Sequence, residues 1–379
     1  MKIRRLLSTF VLALATALAA CGSSTDGEST DPISARAVDP GNAGGNKLLT
    51  VMTRNLYVGG DLFEPFLSTT PLETAAKVWG EILASDPYGR MAGVADEIGQ
   101  TRPDLVGLQE AYRFIVTPLG AEGPILLDLD FVAGLEGALA ARTEPLPYRV
   151  VAQQQHTVLT IPFPTQGIQI TLIDRDAILA DEDVAVGSSD GGNFAAEFVT
   201  TLAGVIPVQL KRGWVEVSAK HQGVDFTFVN VHLETKDFGP LQSLQALELA
   251  GRFAATAPLV LVGDTNSDPT DPAYPVSPTV TLPTPYTILT GLTGALTDAW
   301  SALGNGSGPT CCFDADITPP SRELFERVDL VLFRGAISPT TARRVGLDPL
   351  ASIGGRWPSD HAGVVATLRL EDPRFFALR

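Results

Sequence analysis

The chain has 379 residues, 45% hydrophobic and 18% charged, with a formal net charge of −16. Nucleic-acid-binding surfaces draw much of their affinity from Lys and Arg on phosphates, so an acidic chain without a basic run argues against long, non-specific tracking along DNA. It does not exclude a nuclease, because a bound cation can reverse the local field of a pocket.

Lys2, Arg4 and Arg5 precede an apolar run from Leu6 to Ala20. That run is too short to span a bilayer and predicts an export signal over 1–20. The residues Leu18-Ala19-Ala20-Cys21 resemble the bacterial lipobox. The resemblance implies cleavage before Cys21 and lipidation of that residue; an ordinary secretory signal is the alternative. Losing 1–20 removes three cations and no acid, so −16 becomes −19. Residues 22–46, rich in Gly, Ser, Asp, Pro and Asn, predict a flexible stalk. The expectation is an exported protein anchored to the membrane of a bacterial cell envelope through Cys21. One globular domain is expected over 47–371, monomeric, followed by a tail at 372–379.

Alternating β-branched and aliphatic residues predict a first strand over 48–57, which brings Asn55 near its end. The stretch 58–89 reads as an excursion, with helical spacing at 73–84 and a second helix at 90–101. The next strand, 104–110, ends in Glu110; a carboxylate there can reach a hard cation such as Mg²⁺, and Asn55 could share the ion or orient the acid. A helix is expected at 127–142 and strands at 148–154, 168–173, 206–218 and 225–233. On the last of these, Asn230 and His232 face the same side. His232 suits stabilising charge on phosphorus or protonating a leaving oxygen.

A helix over 240–256 leads to a buried strand at 258–263. After it, Gly263 permits a sharp turn, and Asp264 and Asn266 project toward one point. Asp264 suits aligning or deprotonating a water, and Asn266 suits donating to a phosphoryl oxygen. Residues 268–285 read as an irregular excursion, and Asp298 as a backbone cap beside Trp300. Adjacent Cys311 and Cys312 form a vicinal disulfide, pair between molecules or stay free. Strands at 328–333 and 362–370 bring in Asp329 and the pair Asp360-His361. A buried aspartate accepting from His361 would hold the ring charged, while Asp360 is either a metal ligand or a histidine's partner. Strands in succession with helices scattered between them predict an α/β fold of two packed sheets flanked by helices.

The segments PDLVGLQE, VNVHLE, LVGDTNSDP, LTDAW, ERVDLVL and SDHAGV, in that order, resemble the endonuclease/exonuclease/phosphatase superfamily. The resemblance implies a four-layer αββα sandwich of mainly antiparallel sheets and Mg²⁺-dependent (or Mn²⁺-dependent) attack of water on a phosphate ester. It assigns Asn55, Glu110 and Asp360 to the metal and His232, Asp264, Asn266, Asp329 and His361 to catalysis. Asn230 and Arg175 are expected to face substrate, with Asp176 an alternative to Arg175. His156 and His221 match no motif and are expected at the solvated surface. A phosphodiesterase is expected, acting on a lipid head group or small phosphodiester before DNA. A secreted nuclease and an idle surface-binding lipoprotein are the alternatives.

Overall fold

Alternation along each strand decides the layering. In the computed structural model, which describes residues 47–120, 123–291 and 293–371, odd and even positions of one strand serve different cores. Leu49 and Val51 point into a layer between two sheets, whereas Met52 points outward to helices. Val260 and Val262 share the inter-sheet layer, and Leu259 and Leu261 pack on the opposite helical side. The expected export signal, Cys21, stalk and C-terminal tail lie outside the described residues.

In chain order the first strands are β1 (Lys47–Asn55), β2 (Leu105–Gln109), β3 (Arg113–Pro118), β4 (Leu127–Asp130), β5 (Tyr148–Phe163), β6 (Ile168–Asp181), β7 (Ala185–Asn193), β8 (Phe198–Leu202) and β9 (Ile206–Leu210). They are followed by β10 (Gly213–His221), β11 (Val224–His232), β12 (Leu259–Asp264), β13 (Tyr274–Ser277), β14 (Val280–Leu282), β15 (Thr297–Asp298), β16 (Asp329–Arg334), β17 (Ile337–Val345) and β18 (Gly363–Leu370). One sheet runs β17-β18-β1-β2-β6-β3-β4, with β5 also paired to β6; the other runs β15-β16-β12-β11-β10-β7. Each is antiparallel except for one parallel pair, β1 with β2 and β11 with β12.

Helices α1 (Glu64–Leu67), α2 (Pro71–Ala84), α3 (Pro87–Thr101) and α4 (Phe131–Ala140) belong to the first sheet's side of the chain; α2, α3 and α4 bury Val78, Val94 and Leu135 in its outer core. Helices α5 (Gly239–Arg252) and α6 (Pro285–Thr290) pack Leu249 and Ile288 on the second sheet, and the short α7 (Ala299–Ala302) follows β15. The αββα arrangement expected from the resemblance is the observed one.

The differences have local causes. The expected strand 206–218 is two, β9 and β10, broken at Lys211 and Arg212, because β9 turns away to pair with β8. Residues 127–130 form β4 before the expected helix begins, and Asp130 caps that helix by accepting from Val132 N and Ala133 N. Strand β7, AVGSSDGGN, carries no β-branched alternation; its pairing with β10 imposes the extended form. His156 and His221 are buried, not solvated. His156 lies within 3.1 Å of Asp176 and 2.7 Å of Asn193, and His221 Nε2 meets the Leu48 carbonyl at 3.0 Å.

Candidate active site

Strand register assembles the acid and imidazole row. In the second sheet His232 pairs with Asp264, and Asp264 pairs with Asp329, so three adjacent strands end on one line. Gly263 permits this approach: its φ is +152°, and a Cβ there would sit 2.0 Å from the Val231 carbonyl oxygen. In the first sheet Asn55 pairs with Gln109 across β1 and β2, which brings Glu110 to the same rim. Tyr57, Glu110 and Asn266 have positive φ (57°, 53° and 48°). Non-glycine residues in this region are uncommon and cluster at functional sites.

Asn55 joins the two sheets. Its Nδ2 donates to Glu110 Oε1 at 3.2 Å and to Asp264 Oδ2 at 3.0 Å, while its Oδ1 accepts from Tyr57 N at 2.8 Å. With its oxygen engaged by the backbone, Asn55 is placed to orient the two carboxylates, one of the two roles expected of it. Glu110 Oε2 accepts from Val58 N at 2.7 Å, and burial pushes its carboxyl up. Burial also raises Asp360 to about 6, with Glu110 adding to the rise. Tyr57, whose phenol burial holds well above its ordinary pKa, feels both carboxylates.

Asp264 stands between two imidazoles. Its Oδ2 is 3.6 Å from His232 Nε2 and 3.8 Å from His361 Nε2; its Oδ1 accepts from Asn266 N at 2.9 Å. Burial raises its pKa, partly offset by His361. His361 Nδ1 donates to Asp329 Oδ2 at 2.8 Å. Burial opposes charge on that ring, but Asp329, Asp360 and Asp264 outweigh it and hold its pKa well above the usual value. His232 has the reverse setting. Burial and then the Arg212 guanidinium, 3.1 Å from Nδ1, hold it well below the usual range. An arginine donating to Nδ1 leaves the neutral ring's proton on Nε2, toward Asp264.

Arg212 lies at the break between β9 and β10, 3.3 Å from Asp174 and 3.7 Å from Glu234. Sequence reasoning missed all three; their signal was an arginine just before a glycine in an apparent single strand, which carries little specificity. It also missed Arg54 and Arg90. Arg54 is ion-paired to Glu97 at 2.8 Å and donates to the His361 carbonyl; Arg90 donates to the carbonyls of Leu56 and Pro358. They fix the segment that carries Asp360 and His361.

Two expected substrate contacts lie elsewhere. Asn230 is fully buried between the sheets, accepting from Gln109 Nε2 at 2.5 Å and donating to the carbonyls of Leu108 and Ala177. It faces the same way as His232 but two residues deeper. Gly107 makes room for it, since a Cβ there would lie 2.7 Å from Asn230 Oδ1. Arg175 donates to the Ala111 carbonyl, to Gln153 and to Asp130, and Asp176 is buried against His156. On β6 it is Asp174, the neighbour of both, that reaches the site through Arg212. Asp298 accepts from Trp300 N and pairs with Arg327, the structural role expected of it.

The donor set fits a hard divalent ion. Glu110 and Asp360 are half-buried carboxylates at one rim, Asp329 Oδ1 lacks a hydrogen-bond partner, and Asp264, Asp329 and His361 bring ligand atoms within 4.8 Å of one another. Oxygen-rich sites of this kind suit Mg²⁺ or Mn²⁺ over soft metals.

The sequence signature of the Endonuclease/Exonuclease/phosphatase family matches residues 78–361, and the chain belongs to that family. Its members hydrolyse phosphoester bonds and generally depend on divalent metals. Similar solved structures include an endonuclease/exonuclease/phosphatase from Beutenbergia cavernae DSM 12333, with TM-score 0.53, 22% identity, and coverage of 86% of this chain and 72% of that one. A family protein from Leptotrichia buccalis C-1013-b has TM-score 0.52 and 14% identity, covering 85% and 100%. D. rerio TDP2 complexed with single strand DNA product has TM-score 0.50 and 16% identity, covering 86% and 100%. At these identities the likeness is one of fold. No curated protein matches the chain.

Proposed function

We propose that the protein is a divalent-metal-dependent phosphodiesterase acting on an amphiphilic phosphoester, one whose phosphate carries an alkyl or acyl chain. The observation supporting this substrate class is a narrow cavity beside the site, about 100 Å³ within and opening to solvent. Phe63, Phe66, Trp79, Leu159 and Ile161 are among its apolar walls, and Asp174, Arg212 and Glu234 form its polar end. Arg212 is shared between cavity and site, since it also contacts His232. Leu67, which follows the cavity-lining Phe66 at the end of α1, stands exposed. Export and lipidation at Cys21 would hold the protein near a membrane, where amphiphiles concentrate.

In this reading Glu110 and Asp360 hold the cation, Mg²⁺ foremost and Mn²⁺ as an alternative, with Asn55 bracing Glu110. When bound, the ion neutralises phosphoryl charge and orients the ester. Asp264, its pKa lifted by burial, takes the proton of the attacking water. Neutral His232 and the Asn266 amide donate to phosphoryl oxygens. His361, held charged against Asp329, stabilises the growing negative charge and protonates the leaving oxygen. Arg54 and Arg90 act only by holding the backbone of that loop.

A nuclease is the second reading, favoured by family membership and by the single strand DNA product bound in the D. rerio TDP2 structure. The net charge of −16 counts against it. A series of alkyl p-nitrophenyl phosphodiesters, assayed with Mg²⁺ beside plasmid DNA, separates the two. Each buried methylene contributes about 0.8 kcal/mol, or roughly fourfold, so kcat/KM rises with chain length until the cavity fills. Efficient DNA cleavage with no chain-length dependence would replace the amphiphile reading by the nuclease one. No turnover with any divalent ion would leave a surface-binding lipoprotein.

A further inference from the structure

Cys311 and Cys312, joined as a vicinal disulfide, lie against His361. Their segment is bonded to the Asp360-His361 segment on both sides: Phe313 N donates to the Asp360 carbonyl and Ala362 N to the Thr310 carbonyl, each at 2.8 Å. Cys312 Sγ is 3.8 Å from His361 Nε2. The two sulfurs and an imidazole nitrogen form a group of ligand atoms lying within 4.8 Å of one another. A tetrahedral zinc with Zn–S of about 2.3 Å and Zn–N of about 2.0 Å spans roughly 3.5 Å from sulfur to nitrogen. The observed spacing is close to that span.

The far side of the ring supplies a second, independent feature. Zinc-bound histidines almost always donate their other ring N–H to a carboxylate or carbonyl, which fixes the tautomer and aims the free lone pair. Asp329 Oδ2 stands 2.8 Å from His361 Nδ1 and occupies that outer position.

We propose that reduction of the Cys311–Cys312 bond converts this corner into a Cys₂His site for zinc, and that zinc there inhibits the enzyme. A dithiol reductant supplies two electrons and two protons; the S–S bond breaks, two thiols form, and the reductant leaves as its own disulfide. Zinc then displaces the two thiol protons and the Nε2 proton of the charged His361 ring to solvent, and binds both thiolates and that nitrogen. The fourth position is left to water or to an oxygen of the substrate. The soft sulfurs distinguish this site from the oxygen-rich one at Glu110 and Asp360. In the oxidised protein the sulfurs are bonded to each other and the site does not exist.

Cobalt substituted for zinc reads the ligands directly. Full-length protein, reduced and titrated with Co²⁺, is expected to develop thiolate-to-cobalt charge-transfer absorption; the oxidised protein is not. Cys312→Ser is expected to abolish that absorption and to weaken zinc binding at least as much as loss of an outer partner does, roughly 100-fold. Because a variant can misfold, the same comparison is made on the unsubstituted chain after reduction and alkylation, with peptide mapping to locate the added masses on Cys311 and Cys312 apart from Cys21. Equal cobalt spectra in the oxidised and reduced states would overturn the proposal. So would equal inhibition by zinc of both states in the Mg²⁺ assay. Inhibition rests on the catalytic role proposed for His361, whereas the cobalt spectrum does not. A thiolate spectrum in a protein without turnover would therefore refute the phosphodiesterase reading and leave the metal site standing.

Discussion

The two halves of the cleft treat the same side chain in opposite ways. On the β12–β16 side, His361 sits among Asp329, Asp360 and Asp264 and is held charged. On the β10–β11 side, His232 sits against Arg212 and is held neutral. Both rings are buried, so burial alone does not separate them; the charge of the nearest neighbour does. One imidazole is set to meet growing negative charge and the other to donate a hydrogen bond without carrying one. A site for phosphoryl chemistry needs both; β11 of the second sheet supplies His232, and the segment before β18 of the first sheet brings His361 to Asp329 on β16.

The largest effects are expected on the acidic side. Asp264→Asn and His361→Ala should each lower kcat by about 10²–10³-fold, the scale of losing a preorganised transition-state contact. Circular dichroism should be unchanged. Turnover retained in both folded variants would remove the acidic half from the chemistry. Chelation by EDTA should abolish activity, and readdition of Mg²⁺ should restore it; activity that survives exhaustive chelation would rule out the metal.

On the other side the leading effect is on stability. Arg212→Met leaves Asp174 and Glu234 buried without their cation, and breaking such a pair costs roughly 3–5 kcal/mol. The urea midpoint should fall accordingly. The loss in kcat should stay below that of Asp264→Asn, because His232 keeps its place through strand pairing with Asp264. A variant as stable as the parent would mean that the guanidinium is not the counter-charge of this half.

Much of the acidic half was legible because its residues end apolar runs. Glu110, Asp264, Asp329 and His361 each mark the point where a hydrophobic strand stops or starts, and burial of the run forces the terminal polar group to the rim. The basic half was hidden for the converse reason. Arg212 interrupts what reads as one strand, and nothing local says that β9 leaves for a hairpin with β8. Depth was equally invisible. Period-two alternation put Asn230 and His232 on one face correctly, yet only the packing of a second sheet over Gly107 makes one of them a buried bridge. His156 and His221 show the same gap, since their partners come from β6, β7 and β1.

The cavity gives a smaller and more selective test of the comparison. Phe66 lies at its wall and is half-buried. Phe66→Ala should lower kcat/KM for a long-chain phosphodiester by roughly tenfold, the lower end of what burying a phenyl ring against a chain contributes. Short-chain esters should be unaffected. Equal losses for both would assign Phe66 to the fold and disconnect the cavity from the substrate.

The smallest effect is expected where sequence placed a substrate contact and the structure places a brace. Arg175 spends its guanidinium on the Ala111 carbonyl at 2.9 Å and on Asp130 at 2.6 Å, the acid that also caps α4. Arg175→Ala should therefore leave KM and kcat essentially unchanged. It should lower stability by about 1.5–3 kcal/mol, the range for a partly buried charged hydrogen bond. Strand β6 thus sends neighbouring residues to different tasks: Asp174 to Arg212 and His232, Arg175 to the start of α4. A raised KM at unchanged stability would reverse that division, moving Arg175 into the cleft and putting the β6 register in question.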